Sequence, residues 1–387
     1  MNIHRPPAIR TDTSNAFAHH SMRVRVPRII SEIQTQNSDY SGPIMDSLNT
    51  LRENIENNRP ISMLELPAPD YDQWAAEYAA YEKDTWLDTD WFFAETFLYR
   101  HVIQAVRWWE TGRDPFASNK AQELESDGLW SLLGTMLAAK GALDERLLAH
   151  IHAAIWGNRI DLSYMVSAEK GAVATHDDLL VDDSEIVVRH LHDTSGTIHV
   201  IADNAGTELA MDLLLIDTLL EAHADPIVLH LKLHPTFVSD ATVSDVLSFV
   251  DRLLSSEQRA FGQRLQAALT GGRLRLAPDS YWNSSKFLWD MPPRLWRTFQ
   301  DARLVIVKGD ANYRRMVGDA IWPTEMPFST VMAYFNAPLL ALRTLKSDPI
   351  VGLPPGLATS LEGIDPEWRV NAQRGLIQSN LMPDKTS

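Results

Sequence analysis

At 387 residues, 45% of them hydrophobic, the chain is long for one domain and ordinary for two closely packed ones, and it can bury a sizeable core. With 51 acidic against 35 basic residues its formal net charge is −16, which argues against nucleic acid or an anionic membrane as partner, because both repel a negative surface. It contains no cysteine, so disulfides, thiolate catalysis and Cys-ligated zinc are excluded. An anionic small substrate stays open, since a site can be locally positive or carry a metal. The opening residues lack the apolar stretch of a secretory signal, and no run is long enough to span a membrane. A cytoplasmic protein is therefore expected, with its oligomeric state open.

Residues 1–25 are polar and contain proline, and are expected to form an irregular arm. Residues 26–183 read as a helical domain. Ile44, Leu48 and Leu51 fall at helical spacing, and 70–82 is periodic. In 90–110, Trp91, Ala94, Glu95, Leu98, Val102 and Val106 recur at three- and four-residue intervals. Segments 129–140 and 143–156 continue the pattern, with turn signals at Pro67-Ala68-Pro69, Gly112 and Gly141 between segments.

The pattern changes near residue 184. Apolar runs at 186–188, 198–202, 227–231, 274–276, 304–307 and 339–342 are predicted strands. Segments 207–222, 242–254, 257–269, 293–302 and 313–317 are predicted helices. Such alternation implies βαβ units and a mainly parallel sheet, so 184–387 is expected to be an α/β domain.

In a parallel sheet, the residues just after each strand arrive at one edge, where ligands bind. Four polar clusters come directly after predicted strands: Asp203-Asn204; Lys232, His234 and then Ser239-Asp240; Lys308-Gly309-Asp310 with Asn312, Tyr313 and Arg314; and Arg343-Thr344-Leu345-Lys346. Asp203, Asn204 and Asp240 can offer oxygens to one hard cation, leaving positions for water and substrate. Arg343 and Lys346 suit a phosphate, and Asp310 suits a sugar hydroxyl or a water. A divalent ion beside a phosphate-binding lysine is an arrangement for phosphoryl transfer.

Each cluster alone has a plainer reading. Asp-Asn after a strand is more often a turn with a helix cap than a metal site. His190, His192 and His199 read as decoration of a strand and its approach, and Trp91, Trp108 and Trp109 as helix packing. Glu95, among apolar neighbours, needs a partner if buried. Asp88-Thr89-Asp90 has the spacing of an aspartyl-phosphate motif but precedes a helix, and is rejected.

Taken together, DNAGTELAMDLLLIDTLL (203–220), KLHPTFVSD (232–240), KGDANYRRMVGD (308–319) and RTLK (343–346) resemble the damage-control phosphatase family. RTLK matches the RTxK motif of its sugar-phosphate phosphatases, the subgroup that includes the acidic-residue-methyltransferase-like proteins. WFFAETFLYRHV (91–102) and WGNRIDLS (156–163) resemble family segments in the helical half, and the likeness runs over about residues 25–355. The resemblance implies an α/β fold: a helical domain packed on a Rossmann-like α/β/α domain. It implies a metal-dependent phosphatase acting on small phosphometabolites such as fructose 1-phosphate or fructose 6-phosphate. It carries metal ligation onto Asp203, Asn204 and Asp240, and phosphate and sugar contacts onto Asp310, Ala311, Asn312, Tyr313, Arg314 and Lys346. Manganese is the expected ion, with cobalt, nickel and magnesium as alternatives. Ala311 stands where a larger apolar residue is usual. Arg343 is expected to assist Lys346 or brace its loop, and Glu95 and Asn158 to close the site from the helical domain. Water attack and an aspartyl-phosphate intermediate both stay open. Rival readings are an S-adenosylmethionine-dependent carboxyl methyltransferase, a non-catalytic sugar-phosphate binding protein, and acidic clusters that only cap helices.

Overall fold

The runs of Val, Ile and Leu beyond residue 178 assemble into one seven-stranded sheet, in a computed structural model that describes residues 4–156 and 178–381. The strands are β1 (Leu179–Asp182), β2 (Thr197–Ile201), β3 (Ile227–Lys232), β4 (Leu274–Asp279), β5 (Ala302–Lys308), β6 (Leu339–Thr344) and β7 (Gly375–Asn380). Their order is β1-β7-β6-β5-β2-β3-β4, and every pairing is parallel except β6 with β7. Strands β2, β5 and β6 are buried on both faces, which is why they read as continuous apolar runs rather than alternating ones.

The first half is helical: α1 (Ala16–His20), α2 (Val26–Gln36), α3 (Gly42–Glu56), α4 (Tyr71–Tyr78), α5 (Trp91–Ala105), α6 (Trp108–Thr111), α7 (Ala117–Leu124), α8 (Asp127–Ala138) and α9 (Leu143–Trp156). Between and after the strands come α10 (Ser184–Asp193), α11 (Thr207–Ala222), α12 (Val243–Leu254), α13 (Arg259–Thr270), α14 (Pro293–Trp296), α15 (Asp310–Val317), α16 (Phe328–Val331) and α17 (Leu357–Ile364). None of the described helices is long and apolar enough to cross a membrane.

Side chains alternate between the two faces of the sheet. Ile198 and Val200 of β2 join Leu229, Leu304 and Ile306 in a core closed by α8, α9, α11 and α12. Ile201, Val305 and Val307 face a second core with Trp282, Tyr313 and Met316. A third core, around Trp74, Trp91, Phe97 and Leu98, joins α2, α3 and α5. Helices α8 and α9, although part of the helical half of the sequence, therefore cover the sheet. Helix α11 packs against both and is buried almost all round, as an apolar helix of this kind must be, while α9 also touches β6.

Several local expectations are corrected. Residues 186–188 are helical, within α10, and the strand lies just upstream at Leu179–Asp182. Val187, Val188 and Leu191 make one buried helical stripe, and a three-residue apolar run does not distinguish strand from helix. The first 25 residues include α1, capped by the Asn15 side chain on Ala18 N, and a π-helical turn over Ser21–Arg25. The predicted helix at 293–302 breaks into α14, a 3-10 turn and the start of β5. Strand β7, short and partly polar, carried no strand signal of its own. It is held by antiparallel pairing to β6 and parallel pairing to β1.

Candidate active site at the carboxyl edge of the sheet

Strand β2 is where the sheet changes direction: the chain proceeds outward to β3 and β4 on one side and returns to β5 and β6 on the other. Open α/β sheets bind ligands in the crevice at such a point. Asp203 comes after β2, and Gly309 and Asp310 come after β5, its neighbour. Gly309 has φ 84°, and a Cβ built on it would overlap the Asp203 carboxylate. Glycine is required here both for the backbone conformation and for the close approach.

Asp203-Asn204 and Ser239-Asp240 are joined by a short antiparallel bridge. Ala241 N donates to Asp203 O at 2.7 Å, and Ala205 N to Ser239 O at 2.7 Å. Residues far apart in sequence thus become neighbours through main-chain bonds. The loop before Asp240 is tight: Phe237 and Val238 have φ of 48° and 70°. A β-branched residue in that region is strained, and strain of this kind persists only where the surroundings impose it.

The two carboxylates of the trio are buried and Asn204 is half-buried. Asp203 is 5% exposed and Asp240 1%. Burial, with Glu208 and Asp240 nearby, pushes the Asp203 carboxyl well above the usual range, against the pull of Lys346 and Lys232. Burial likewise lifts Asp240 to about 6 although Lys232 opposes it. Lys232 Nζ lies 3.2 Å from Asp240 Oδ2 and also donates to Trp282 O at 2.8 Å, so a buried ammonium stands against this carboxylate. Asn204 Nδ2 donates to Asp203 Oδ2 and to Glu208 Oε2, both at 2.9 Å, and its Oδ1 accepts from Ser239 Oγ at 2.6 Å. Among the described residues no three or more His, Cys, Asp or Glu side chains are arranged as a metal cluster. The trio offers two carboxylates and an amide. An all-oxygen set in which two buried carboxylates crowd one another and Glu208 suits a hard divalent cation.

A cavity of about 80 Å³ opens beside Asp203, lined by Glu208, Gly309, Asp310, Thr344, Lys346 and Ile155 among others. Lys346 is exposed, and among the described residues no carboxylate reaches its ammonium. Asp310 anchors the loop that carries it. Its Oδ1 accepts from Arg343 Nε at 2.8 Å and Lys346 N at 3.0 Å, and its Oδ2 from Ser347 Oγ at 2.6 Å. Burial raises the Asp310 carboxyl, but Arg343 and Arg314 outweigh it and hold the group below the usual range.

The other expected substrate residues sit behind this wall. Arg343 is 1% exposed, bonded to Asp310 and to Ser347 O at 2.9 Å, and lies over the Tyr313 ring. Asn312 Nδ2 ties the ends of β2 and β5 by donating to Ala202 O and Lys308 O. Tyr313 donates to Gln378 Oε1 at 3.0 Å. Arg314 pairs with Glu95 at 2.6 Å and Asp319 at 2.7 Å and stacks over Trp91. Glu95 thus has the partner its burial demanded, and it joins α5 to α15. Ala311 is half-buried. Asn158 lies outside the described residues.

Sequence reasoning gave no role to Glu208, Asp212 or Lys308. Lys308 Nζ lies 3.0 Å from Glu208 Oε1 and 2.8 Å from Asp212 Oδ1, and bonds the Ala154 carbonyl. Glu208 in turn holds Asn204. The signal was present: carboxylates at i and i+4 share one face of α11, and a lysine closing a doubly buried strand needs partners.

The chain has relatives along most of its length. Residues 20–361 match the damage-control phosphatase ARMT1-like domain. The chain is 27% identical to the damage-control phosphatase ARMT1 of Danio rerio, with 96% of each covered. It is also 27% identical to that of Mus musculus and 25% to that of Homo sapiens, each over 96% of this chain and 98% of the relative. A crystal structure of a DUF89 family protein from Pyrococcus horikoshii shares the fold, with TM-score 0.53 at 17% identity over 95% of this chain and 98% of that one. The chain belongs to the damage-control phosphatase ARMT1-like family.

Proposed function

We propose that this protein is a metal-dependent phosphatase that hydrolyses small sugar phosphates, of the fructose 1-phosphate or fructose 6-phosphate type, in metabolite damage control. Membership of a family of damage-control phosphatases supports the reaction class. The observation that carries the metal and the phosphate is that Asp203 and the exposed Lys346 line one small cavity. Burial and the neighbouring Glu208 and Asp240 disfavour the Asp203 anion, a cost that a bound cation would relieve.

Asp203, Asn204 and Asp240 would hold a divalent cation, manganese first and otherwise cobalt, nickel or magnesium, which supplies charge neutralisation at the phosphoryl oxygens. Lys346 pairs with the phosphate and stabilises charge that grows towards the transition state. Asp310 holds Arg343 and the Lys346 main chain, so the stem of that side chain starts from a fixed point at the cavity. Glu208 orients the Asn204 amide; burial opposes its ionisation, but Lys308, Lys346 and the Asn204 hydrogen bond together hold its carboxyl below the usual range. The space suits a phosphoryl group against Asp203, with the rest of the substrate outside it.

The test is phosphate release from a panel of phosphometabolites with each of several divalent metals, using Asp203→Ala as blank. Metal-dependent turnover of sugar phosphates that the blank lacks is the expected result. Turnover without added metal after chelation, or in the blank, refutes the assignment.

A further inference from the structure

Helix α7 reaches the site from the helical half and touches both turns that carry the trio. Glu123 Oε1 accepts a hydrogen bond from Thr207 N at 2.9 Å, in the first turn of α11, three residues beyond Asn204. The contact is close: Gly206 has φ 70°, and a Cβ there would overlap the Glu123 carboxylate. One helical turn back, Lys120 Nζ donates to Asp240 O at 3.1 Å and to Asp245 Oδ2 at 2.8 Å. Asp245 also accepts from Thr242 N at 2.8 Å in the capping box that starts α12. Asp114 balances Lys120 at 2.9 Å.

Glu123 and Lys120, three apart, share one face of α7. Between them they hold the start of α11 and the start of α12. The two turns share a main-chain bridge at Asn204 and Asp240, and Lys232 pairs with Thr242 just beyond it. The α7 side chains add contacts to both turns from outside that bridge. A carboxylate on a free N–H at a helix start also offsets the positive end of the helix dipole, next to a turn that is otherwise crowded with acid.

We infer that α7 is a clamp which sets the separation of Asp203-Asn204 from Asp240, with Glu123 and Lys120 as positioning residues for the cation. This rests on the reading that the trio binds a divalent metal. Residues that orient metal ligands without touching the metal typically change its affinity by about 10–100-fold when removed.

The experiment uses the full chain and Mn2+ as probe. Melting temperature is measured against Mn2+ concentration for the wild type, Glu123→Ala, Glu123→Gln, Lys120→Gln and Asp203→Ala. Glu123→Ala is expected to raise the half-saturating Mn2+ concentration by about tenfold or more. Glu123 is half-buried, so the metal-free melting temperature should move little. Glu123→Gln keeps the acceptor and should stay near wild type, and Lys120→Gln should weaken Mn2+ in the same direction as Glu123→Ala. A purely structural role would lower the metal-free melting temperature and leave the Mn2+ dependence where it was; that result in both Glu123→Ala and Lys120→Gln overturns the clamp. If Asp203→Ala loses the Mn2+ response while those two variants keep it, the clamp alone is wrong. If Asp203→Ala itself still responds like wild type, the metal reading fails and the clamp with it.

Discussion

The carboxylate of Asp203 occupies the space that any side chain at Gly309 would need. Strands β2 and β5 end side by side, so the residue after β5 must leave room for the residue after β2. The backbone conformation of Gly309 adds to the constraint, with φ at 84°.

Gly309→Ala should therefore disable the site more than it harms the fold. A non-glycine residue at positive φ costs on the order of 1–2 kcal/mol, and here the Asp203 carboxylate must also be displaced. A melting temperature lowered by several degrees with phosphate release reduced about 100-fold or more is expected. A variant with wild-type turnover would show that Asp203 does not act from its present position.

Asp203→Asn and Asp240→Asn each remove one negative charge at almost unchanged volume. Metal-induced stabilisation, which scales with ligand concentration over dissociation constant, should fall sharply in both. Metal-free Asp203→Asn should match or exceed wild-type stability, because burial disfavours that carboxylate as an ion, whereas Asp240→Asn should lose stability because it leaves the buried Lys232 ammonium without its carboxylate. Thermal melts with and without Mn2+ test both halves of this expectation.

Lys346→Ala should leave stability within about 0.5 kcal/mol, since the side chain is exposed and without a carboxylate partner among the described residues. Catalytic efficiency should drop by about 10²–10³ for loss of one charge that stabilises the transition state. Asp310→Asn should also lower it, by releasing the loop from Arg343. A melting-temperature loss should accompany the Asp310 change and not the Lys346 change.

Lys308→Met leaves Glu208 and Asp212 buried without their cation and should cost about 3–5 kcal/mol, read from denaturant midpoints. In the intact protein, burial raises the Asp212 carboxyl from 3.8 to about 7 against the pull of Lys308. The folded state then holds that proton more tightly than the unfolded chain does. Its contribution is fully present below the ordinary carboxyl value and is lost as pH rises to about 7. Asp212→Asn should flatten the fall in metal-free stability across that range; an unchanged slope would mean Asp212 does not titrate there.

The order of strands and helices, and the convergence of four polar clusters at one edge, were legible because they depend on periodicity and on the parallel connection alone. Strands such as 198–202 and 304–307 carry their burial in their composition. The edge came by construction, and with it Asp203, Gly309, Asp310 and Lys346 as neighbours. Strand β7 and the helical character of 186–188 did not, because short runs take their state from their partners.

Within the site, composition and spacing determined which oxygens and cations were present, and only tertiary packing decided which of them face the cavity. Arg314, Arg343, Asn312 and Tyr313 read as substrate contacts, yet each is held by buried partners: Glu95 and Asp319, Asp310 and Ser347, the ends of β2 and β5, and Gln378. Glu208, Glu123 and Lys120 looked ordinary in sequence, and Lys308 stood in an edge cluster without a role of its own; all four became supports of the acidic trio. A buried charge must be paired, and the partner that pairs it lies on another helix or strand, at a distance along the chain that no local pattern records.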